Sequence, residues 1–169
     1  MCIQAGKLLQ TYYYYNEICR HRYPSLSSSP LPDPAPAQVY SYHVHLLYRQ
    51  TNQAEVRDAT AIREEFRSKF SGLLGPDCHD LFHNDYNCML DVDEGPAGPF
   101  PVANWSVFVL PGSLEPFMEW AIQNRGRFSV LVHPNSGCEV EDHTDWTLWS
   151  GAPYPLDATI FSHDKPFPW

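Results

Sequence analysis

The sequence lacks the features that mark several common classes of protein. Its five cysteines include no CxxC pair, so neither a structural zinc knuckle nor a disulfide framework is predicted. Eleven Lys and Arg stand against 20 Asp and Glu, and this net charge of -9 argues against a nucleic-acid partner. No apolar run approaches the length of a membrane span. These absences predict a soluble protein of a reducing compartment, the cytoplasm, with no membrane partner.

Two families of sequence motif are missing as well. The chain has no GxSxG sequence, which excludes the usual nucleophile elbow of hydrolases. It has neither a P-loop nor a GxGxxG sequence, so a nucleotide-binding function has no support. The chemistry of this protein must be sought in other side chains.

The length of 169 residues suits one domain with additional segments at its ends. Residues 1–38 include a stretch of Ser and alternating Pro, which is typical of extended or disordered backbone. We therefore predict an N-terminal extension and linker over 1–38 and a folded domain over 39–157. Residues 158–169 are predicted to form a C-terminal tail that wraps the surface or docks a partner.

Hydrophobic periodicity predicts an α+β domain with two helices. The first helix is capped by Thr51 or Asn52 and carries an apolar stripe, and the second begins at Ser113 and ends before Gly126. The segment 81–90 is ambiguous and could form a strand. Clearer strands are predicted at 39–49, 102–110 and 128–133. The resulting order, strand-helix-strand-strand-helix-strand, is the split βαβ pattern of ferredoxin-like folds.

Histidines on two of these strands are the best indication of function. His43 and His45 alternate with Val44, which places both imidazoles on the same face of the first strand. His133 ends the strand that follows the second helix, and this fold places that strand beside the first. Because imidazole is the commonest metal ligand, the three residues predict an open metal site.

Each histidine also has a reading without a metal. His43 and His45 could be half-buried residues with ordinary hydrogen-bond partners. His143 lies among Glu141, Asp142 and Asp145, which could fix its tautomer or raise its pKa, but a surface histidine beside acidic neighbours would show the same pattern.

Several motifs, taken together in this order, resemble the DOPA 4,5-dioxygenase family of fungi and bacteria. They comprise the sequences HVHL at 43–46, EGPAGP at 94–99, NRG at 124–126, HPNSG at 133–137 and DHTDWTLW at 142–149. The HPNSG and DHT sequences are specific, whereas an HxH pair alone is not. The resemblance covers residues 40–156, which is most of the predicted domain.

The resemblance implies a ferredoxin-like enzyme that forms a dimeric α/β barrel. Members of the family open the catechol ring of L-DOPA or related catechols with O2, giving seco-DOPA precursors of pigments. Such chemistry needs a metal with several open positions, which favours Fe(II) and few protein ligands. We accordingly expect His43, His45 and His133 to bind Fe(II) and His143 to act as the catalytic acid or base.

Two further residues are candidates for substrate binding. Arg125 could grip the carboxylate of DOPA, since a guanidinium matches a carboxylate in shape and charge, although an ordinary surface position would suit it equally. Trp146 could stack on the catechol ring, although tryptophans at strand and helix spacing more often belong to the core.

One departure from the family pattern bears on activity. The family sequence reads GP-x-GPHP, and this chain places Phe100 at the histidine position. A phenyl ring neither binds a metal nor carries a proton, so that function is either missing or supplied by His79 or His83. The alternative to an active enzyme is a catalytically weakened or non-enzymatic relative that binds a metal or a catechol-like ligand.

Overall fold

The computed structural model describes residues 38–161, and in it five antiparallel strands form one sheet. Across the sheet the strand order is β2-β3-β1-β4-β5. The long strands β1, β3 and β4 occupy the centre, where each is paired along its whole length. The strands are β1 (Ser41–Tyr48), β2 (Cys88–Met89), β3 (Ala103–Val109), β4 (Ser129–Asn135) and β5 (Leu148–Ser150).

Within residues 38–161, three α-helices accompany the sheet: α1 (Gln53–Lys69), α2 (Leu114–Asn124) and α3 (Glu139–His143). Asn52 caps helix α1: its side chain accepts hydrogen bonds from the backbone N–H groups of Ala54 and Glu55 and so satisfies two donors of the first turn. Short 3-10 turns precede α2 at Pro111–Ser113 and follow β5 at Ala158–Ile160.

The predicted α+β class and the predicted order of the first six elements are confirmed. The ambiguous segment 81–90 is mostly loop and contributes the two residues of β2. The sequence did not predict α3 or β5, which are short and lack periodicity of their own. The predicted extension over 1–38 lies outside the described residues except for residue 38, and of the predicted tail over 158–169 only residues 158–161 are described.

The two faces of the sheet are covered differently. Side chains of one face, including those of Val44 and Leu46, form the main core with the aromatic rings of α1 and α2. The other face carries His43, His45 and Leu47 from the same strand and is covered by loops, α3 and the start of the C-terminal tail. This strict alternation follows from the period of two in an extended strand.

A disulfide joins Cys78 to Cys88 and ties the loop after α1 to β2. The sequence predicted no disulfide framework, and this bond was not anticipated. Spacing alone gave no signal, because the ten-residue separation becomes a contact only when the loop folds back along the sheet. Disulfides are typical of oxidising compartments, so this one counts against the predicted cytoplasmic location. Among the described residues, no helix is both long and apolar enough to cross a membrane.

Candidate metal centre

Three histidines from two neighbouring strands meet on the loop-covered face. His43 on β1 pairs directly with His133 on β4, and His45 lies two residues further along β1. One nitrogen from each ring can be chosen so that all three lie within 4.8 Å of one another. All three side chains are buried. The structure thus confirms that these residues converge as the strand order predicted.

The contact between His45 and His133 indicates where a cation would bind. Their Nε2 atoms are 3.2 Å apart. The Nδ1 atom of His133 donates to the carbonyl of Pro134 at 2.9 Å, and the Nδ1 atom of His45 donates to Asn104 at 2.9 Å. In these tautomers both Nε2 atoms carry lone pairs that face each other, and a metal ion or a shared proton would relieve the repulsion.

A polar chain fixes the tautomer of His45. Asn104, fully buried on β3, accepts from Nδ1 of His45 through Oδ1 and donates through its Nδ2 atom to a carboxylate oxygen of Asp93 at 3.1 Å. The carboxylate can only accept, which requires the amide of Asn104 to present its oxygen to His45. A partner of this kind orients an imidazole ligand and keeps its Nε2 atom available.

His43 is held in a different way. Its Nε2 atom lies 2.9 Å from the carbonyl of Leu81 and donates to it, which leaves the lone pair on Nδ1. Burial lowers the pKa of His43 to about 4. Burial, reinforced by the neighbouring imidazoles, also lowers the pKa values of His45 and His133 well below the usual 6.5. The three rings are therefore neutral at pH 7, as metal ligands must be.

The donor set fits a divalent transition metal. Neutral imidazoles suit iron, zinc and copper. Metal–nitrogen bonds of about 2.1 Å place adjacent ligand atoms roughly 3.0–3.4 Å apart, which agrees with the 3.2 Å between His45 and His133. Three protein ligands leave open positions for other molecules. The three-histidine group could thus hold a catalytic rather than a structural ion.

His143 projects from α3 toward the same cluster. Its ring centroid is 4.0 Å from that of His133 and 4.5 Å from that of Phe161, on which it stacks. The Nδ1 atom donates to the carbonyl of Glu139 at 2.9 Å, so Nε2 keeps its lone pair. Burial lowers the pKa of His143 to about 4. A neutral imidazole beside the three histidines can accept a proton from a bound molecule.

Phe100 lies against the cluster. Its ring centroid is 4.4 Å from that of His45, and only 6% of the residue is exposed. It therefore supplies packing where the family pattern has an imidazole. Two histidines were suggested as substitutes for the missing imidazole. His79 lines the cavity next to the cluster. His83 does not line it, and its exposed side chain contacts the carboxylate of Asp80.

The cluster opens into a cavity of about 460 Å³. The space suits a small aromatic molecule. Among the described residues that line it are five acidic side chains and no Lys or Arg: Asp80, Asp91, Asp93, Glu139 and Asp142.

The structure does not bring the two predicted substrate-binding residues to this cavity. Arg125 lies at the end of α2, where its guanidinium donates to Ser150 at 2.9 Å and to the carbonyl of Phe128 at 2.7 Å. It thereby anchors β5 to the end of β4. Trp146 is half-buried after α3, and its backbone N–H donates to the carbonyl of Glu141.

Sequence reasoning missed several polar residues that support the site. Asn104 and Ser106 share a face of β3 with Phe108, and these two polar residues in an apolar strand were an available signal. Asp142 accepts hydrogen bonds from the backbone and hydroxyl of Ser136. Burial raises the pKa of Asp142 to about 7 against the effect of these bonds. This pair ties α3, and with it His143, to the end of β4.

Similarity to known proteins agrees with this geometry. The chain is 28% identical to a DOPA 4,5-dioxygenase of Amanita muscaria over 124 residues, which cover 72% of the chain and 49% of that protein. It is 30% identical to an uncharacterised 21.2 kDa protein of Botryotinia fuckeliana over 133 residues, or 74% of the chain and 65% of that protein. The chain thus spans about half to two thirds of these relatives.

A solved structure shares the fold. A candidate dioxygenase from Nostoc punctiforme superposes with a TM-score of 0.58 at 24% identity, covering 72% of this chain and 90% of that one. Together the fold and the cluster define an α+β protein with a buried site that could hold a metal. Residues 42–160 match the Dopa 4,5-dioxygenase family, and the chain belongs to that family.

Proposed function

We propose that this protein is a metal-dependent dioxygenase that opens the ring of L-DOPA or a related catechol with O2. The observation that carries the proposal is the buried three-histidine group, which opens into a cavity beside a fourth neutral histidine. All four histidines lie within the segment that matches the family. The expected product is a ring-opened seco-DOPA compound that serves as a pigment precursor.

Fe(II) is the metal that we propose for the site. His43, His45 and His133 would hold it, and three protein ligands are few enough to leave the ion accessible from the cavity. When bound, Fe(II) supplies the redox chemistry and the Lewis acidity that O2 and the catechol require. Asn104 and the carbonyl of Pro134 keep two of the ligand nitrogens deprotonated and directed inward.

His143 is the proposed acid–base residue. With its Nδ1 proton held by Glu139, its Nε2 atom can take a proton from a catechol hydroxyl and later return it to the product. Burial keeps the imidazole neutral at pH 7, so it begins as a base. Phe100 and Phe161 flank the site with aromatic rings, which limits the access of water to the transferred proton.

A catalytically weakened relative is the second candidate function, and Phe100 is the observation that favours it. The ring occupies the family's histidine position directly against His45. Phe100→His tests this reading. A large gain in turnover would show that the natural chain has lost part of its chemistry, whereas unchanged turnover would show that His143 and its neighbours suffice.

The fold class suggests an assembly as well. We propose that the domain is ferredoxin-like and forms a homodimer in which two sheets build an α/β barrel, as the family resemblance implies. Light scattering coupled to size exclusion measures this directly, since a monomer would weigh about 19.4 kDa.

Oxygen uptake tests the proposed activity. The protein is reconstituted anaerobically with Fe(II), given L-DOPA and then O2, while a yellow ring-opened product is followed by absorbance. Uptake of one O2 for each catechol consumed, with iron bound in the same sample, supports the proposal. If the protein binds iron but consumes no O2 with L-DOPA or with simple catechols, the proposed activity is wrong and a binding function replaces it.

A further inference from the structure

Ser106 is a buried polar residue beside the three-histidine group. It lies on β3 directly opposite His45 of β1, and both side chains line the cavity on the loop-covered face of the sheet. Residues that face each other across antiparallel strands have Cβ atoms within about 5.5 Å of one another. Ser106 is only 4% exposed, so its hydroxyl has little access to solvent other than through the cavity.

The hydroxyl of Ser106 has no hydrogen-bond partner among residues 38–161. Other polar side chains on this face of the sheet do have one, since Asn104 bonds to His45 and Ser129 donates to the carbonyl of Ala152. Buried hydroxyls without a partner are costly and therefore rare. Because Ser106 lines the cavity, its partner has to come from whatever the cavity contains.

Ser106 and His143 flank the three-histidine group from opposite sides. In the sheet, β1 lies between β3, which carries Ser106, and β4, which carries His133. The ring centroid of His143 is 4.0 Å from that of His133, on the β4 side, and Ser106 faces His45 from the β3 side. Both residues line the same cavity. A catechol, which has two adjacent ring hydroxyls, can therefore present one of them to each side.

Resting on the proposed function, we infer that Ser106 binds the catechol hydroxyl that does not give its proton to His143. A serine hydroxyl both donates and accepts, so it can bond to this ring oxygen whether or not the oxygen keeps its proton. A site that hydrogen-bonds a substrate hydroxyl discriminates against analogues that lack it, because its own polar group is then left unpaired. The contact is made to the ring, so it is the same for all catechols.

The affinity of the iron-loaded protein for two catechols tests the contact. The full chain is loaded with Fe(II) under nitrogen, and the dissociation constants of L-DOPA and 4-methylcatechol are measured by calorimetry. We expect Ser106→Ala to bind both probes about 3–10-fold more weakly than the natural chain, which is the effect of one lost hydrogen bond. Its affinity for iron, measured by competition with a chelator, should be unchanged, because the three histidines are untouched.

Two substitutions of equal shape isolate the hydroxyl. Ser106→Thr and Ser106→Val add the same bulk, and only threonine keeps an O–H group, so Ser106→Thr should bind both probes about 3–10-fold more tightly than Ser106→Val. The matched control is Ser129→Ala. It removes a hydroxyl on the same face of the sheet that bonds to the carbonyl of Ala152 and does not line the cavity. Both dissociation constants should stay unchanged in this control.

Unfolding of the metal-free protein by urea gives a readout that does not depend on catechol binding. Ser129→Ala loses a hydrogen bond within the protein, so its urea midpoint should fall. Ser106→Ala removes a hydroxyl without a protein partner, so its midpoint should stay unchanged or rise. If both midpoints fell equally, the hydroxyl of Ser106 would support the fold, and the inference would be overturned.

The binding outcomes separate this inference from the proposed function. Unchanged affinity in Ser106→Ala, or weaker binding of only one probe, overturns the inference, and the function stands if the natural chain still cleaves catechols. Loss of iron from Ser106→Ala also overturns it, because the serine would then act through the metal ligands. If the iron-loaded natural chain neither binds nor cleaves either probe, the proposed function fails and the inference fails with it.

Discussion

The two faces of β1 show how one strand serves two purposes. Toward the helices, Val44 and Leu46 enter an apolar core with the aromatic rings of α1 and α2. Toward the loops, His43 and His45 enter a polar cluster whose lone pairs face one another. Adjacent residues are equally buried on the two faces, so burial alone does not tell structure from function. The polar groups distinguish the two faces. The helix-facing side chains of β1 are apolar and need no hydrogen-bond partner, whereas on the loop-covered face the Nε2 atoms of His45 and His133 face each other.

Substituting two neighbouring residues of β1 should show the largest difference between the faces, one in metal binding and one in stability. His45→Ala removes a proposed ligand, so we expect metal affinity to fall by more than about 100-fold and activity to disappear. Leu46→Ala leaves a cavity in the core, which should cost about 2–5 kcal/mol of unfolding free energy. Iron content and urea unfolding, measured on both variants, give the comparison. If His45→Ala kept its iron, the assignment of the ligand would be wrong.

Substituting His143 should distinguish the metal ligands of the loop-covered face from the residue that carries the proton. His143→Gln keeps a polar side chain of similar length but cannot exchange the proton, so we expect kcat to fall about 10²–10⁴-fold. Bound iron should remain near that of the natural chain, because the three other histidines are untouched. The control is His83→Gln, an exposed histidine outside the cavity. A loss of iron in His143→Gln would instead make this residue a ligand.

Asn104 should have a smaller effect, because it acts through His45. Asn104→Leu fills a similar volume but removes the acceptor that holds the Nδ1 proton of His45. We expect metal affinity to fall about 10–100-fold. Asn104→Asp keeps an acceptor and should recover much of that loss, although its charge would lie beside Asp93. Competition with a chelator measures the affinities, and equal affinity in Asn104→Leu and the natural chain would contradict a positioning role.

The sequence predicted the central features of the site because they depend on local pattern and strand order. Alternation placed His43 and His45 together, and the order of elements placed β4 beside β1, so that His133 faces His43. The helix-facing core followed from the stripe on α1. The alternation on β1 and the apolar stripe on α1 each have a period that can be recognised in a single sequence.

What the sequence could not predict depends on how loops fold back. Three features have no periodic pattern in the sequence that would predict them. They are the disulfide between Cys78 and Cys88, the short helix α3 and the contact of Phe161 with His143. Arg125 was predicted to bind substrate from its chemistry alone, and that chemistry is equally suited to binding Ser150 and a backbone carbonyl. Side-chain chemistry indicates what a residue can bind, whereas tertiary structure determines which partner it meets.

The acid stability of the metal-free protein should reveal the cost of the histidine face. His43 has a pKa near 4 in the folded chain because it is buried, against 6.5 when exposed. The unfolded chain therefore takes up a proton first as the pH falls, and stability present above pH 6.5 is lost progressively down to pH 4. Between pH 7.5 and 5 this costs about 2 kcal/mol for His43 alone.

Asp142 should act in the opposite direction. Burial raises its pKa to about 7 from 3.8, so the folded chain binds its proton first and gains stability as the pH falls from 7 toward 4. Urea unfolding at pH 7.5, 6 and 5 should thus show a milder decline than the histidines alone would give. Asp142→Asn should steepen the decline and His43→Leu should flatten it, with His83→Gln as the exposed control. Parallel pH profiles in all four proteins would show that neither buried group is charged differently in the folded and unfolded chains.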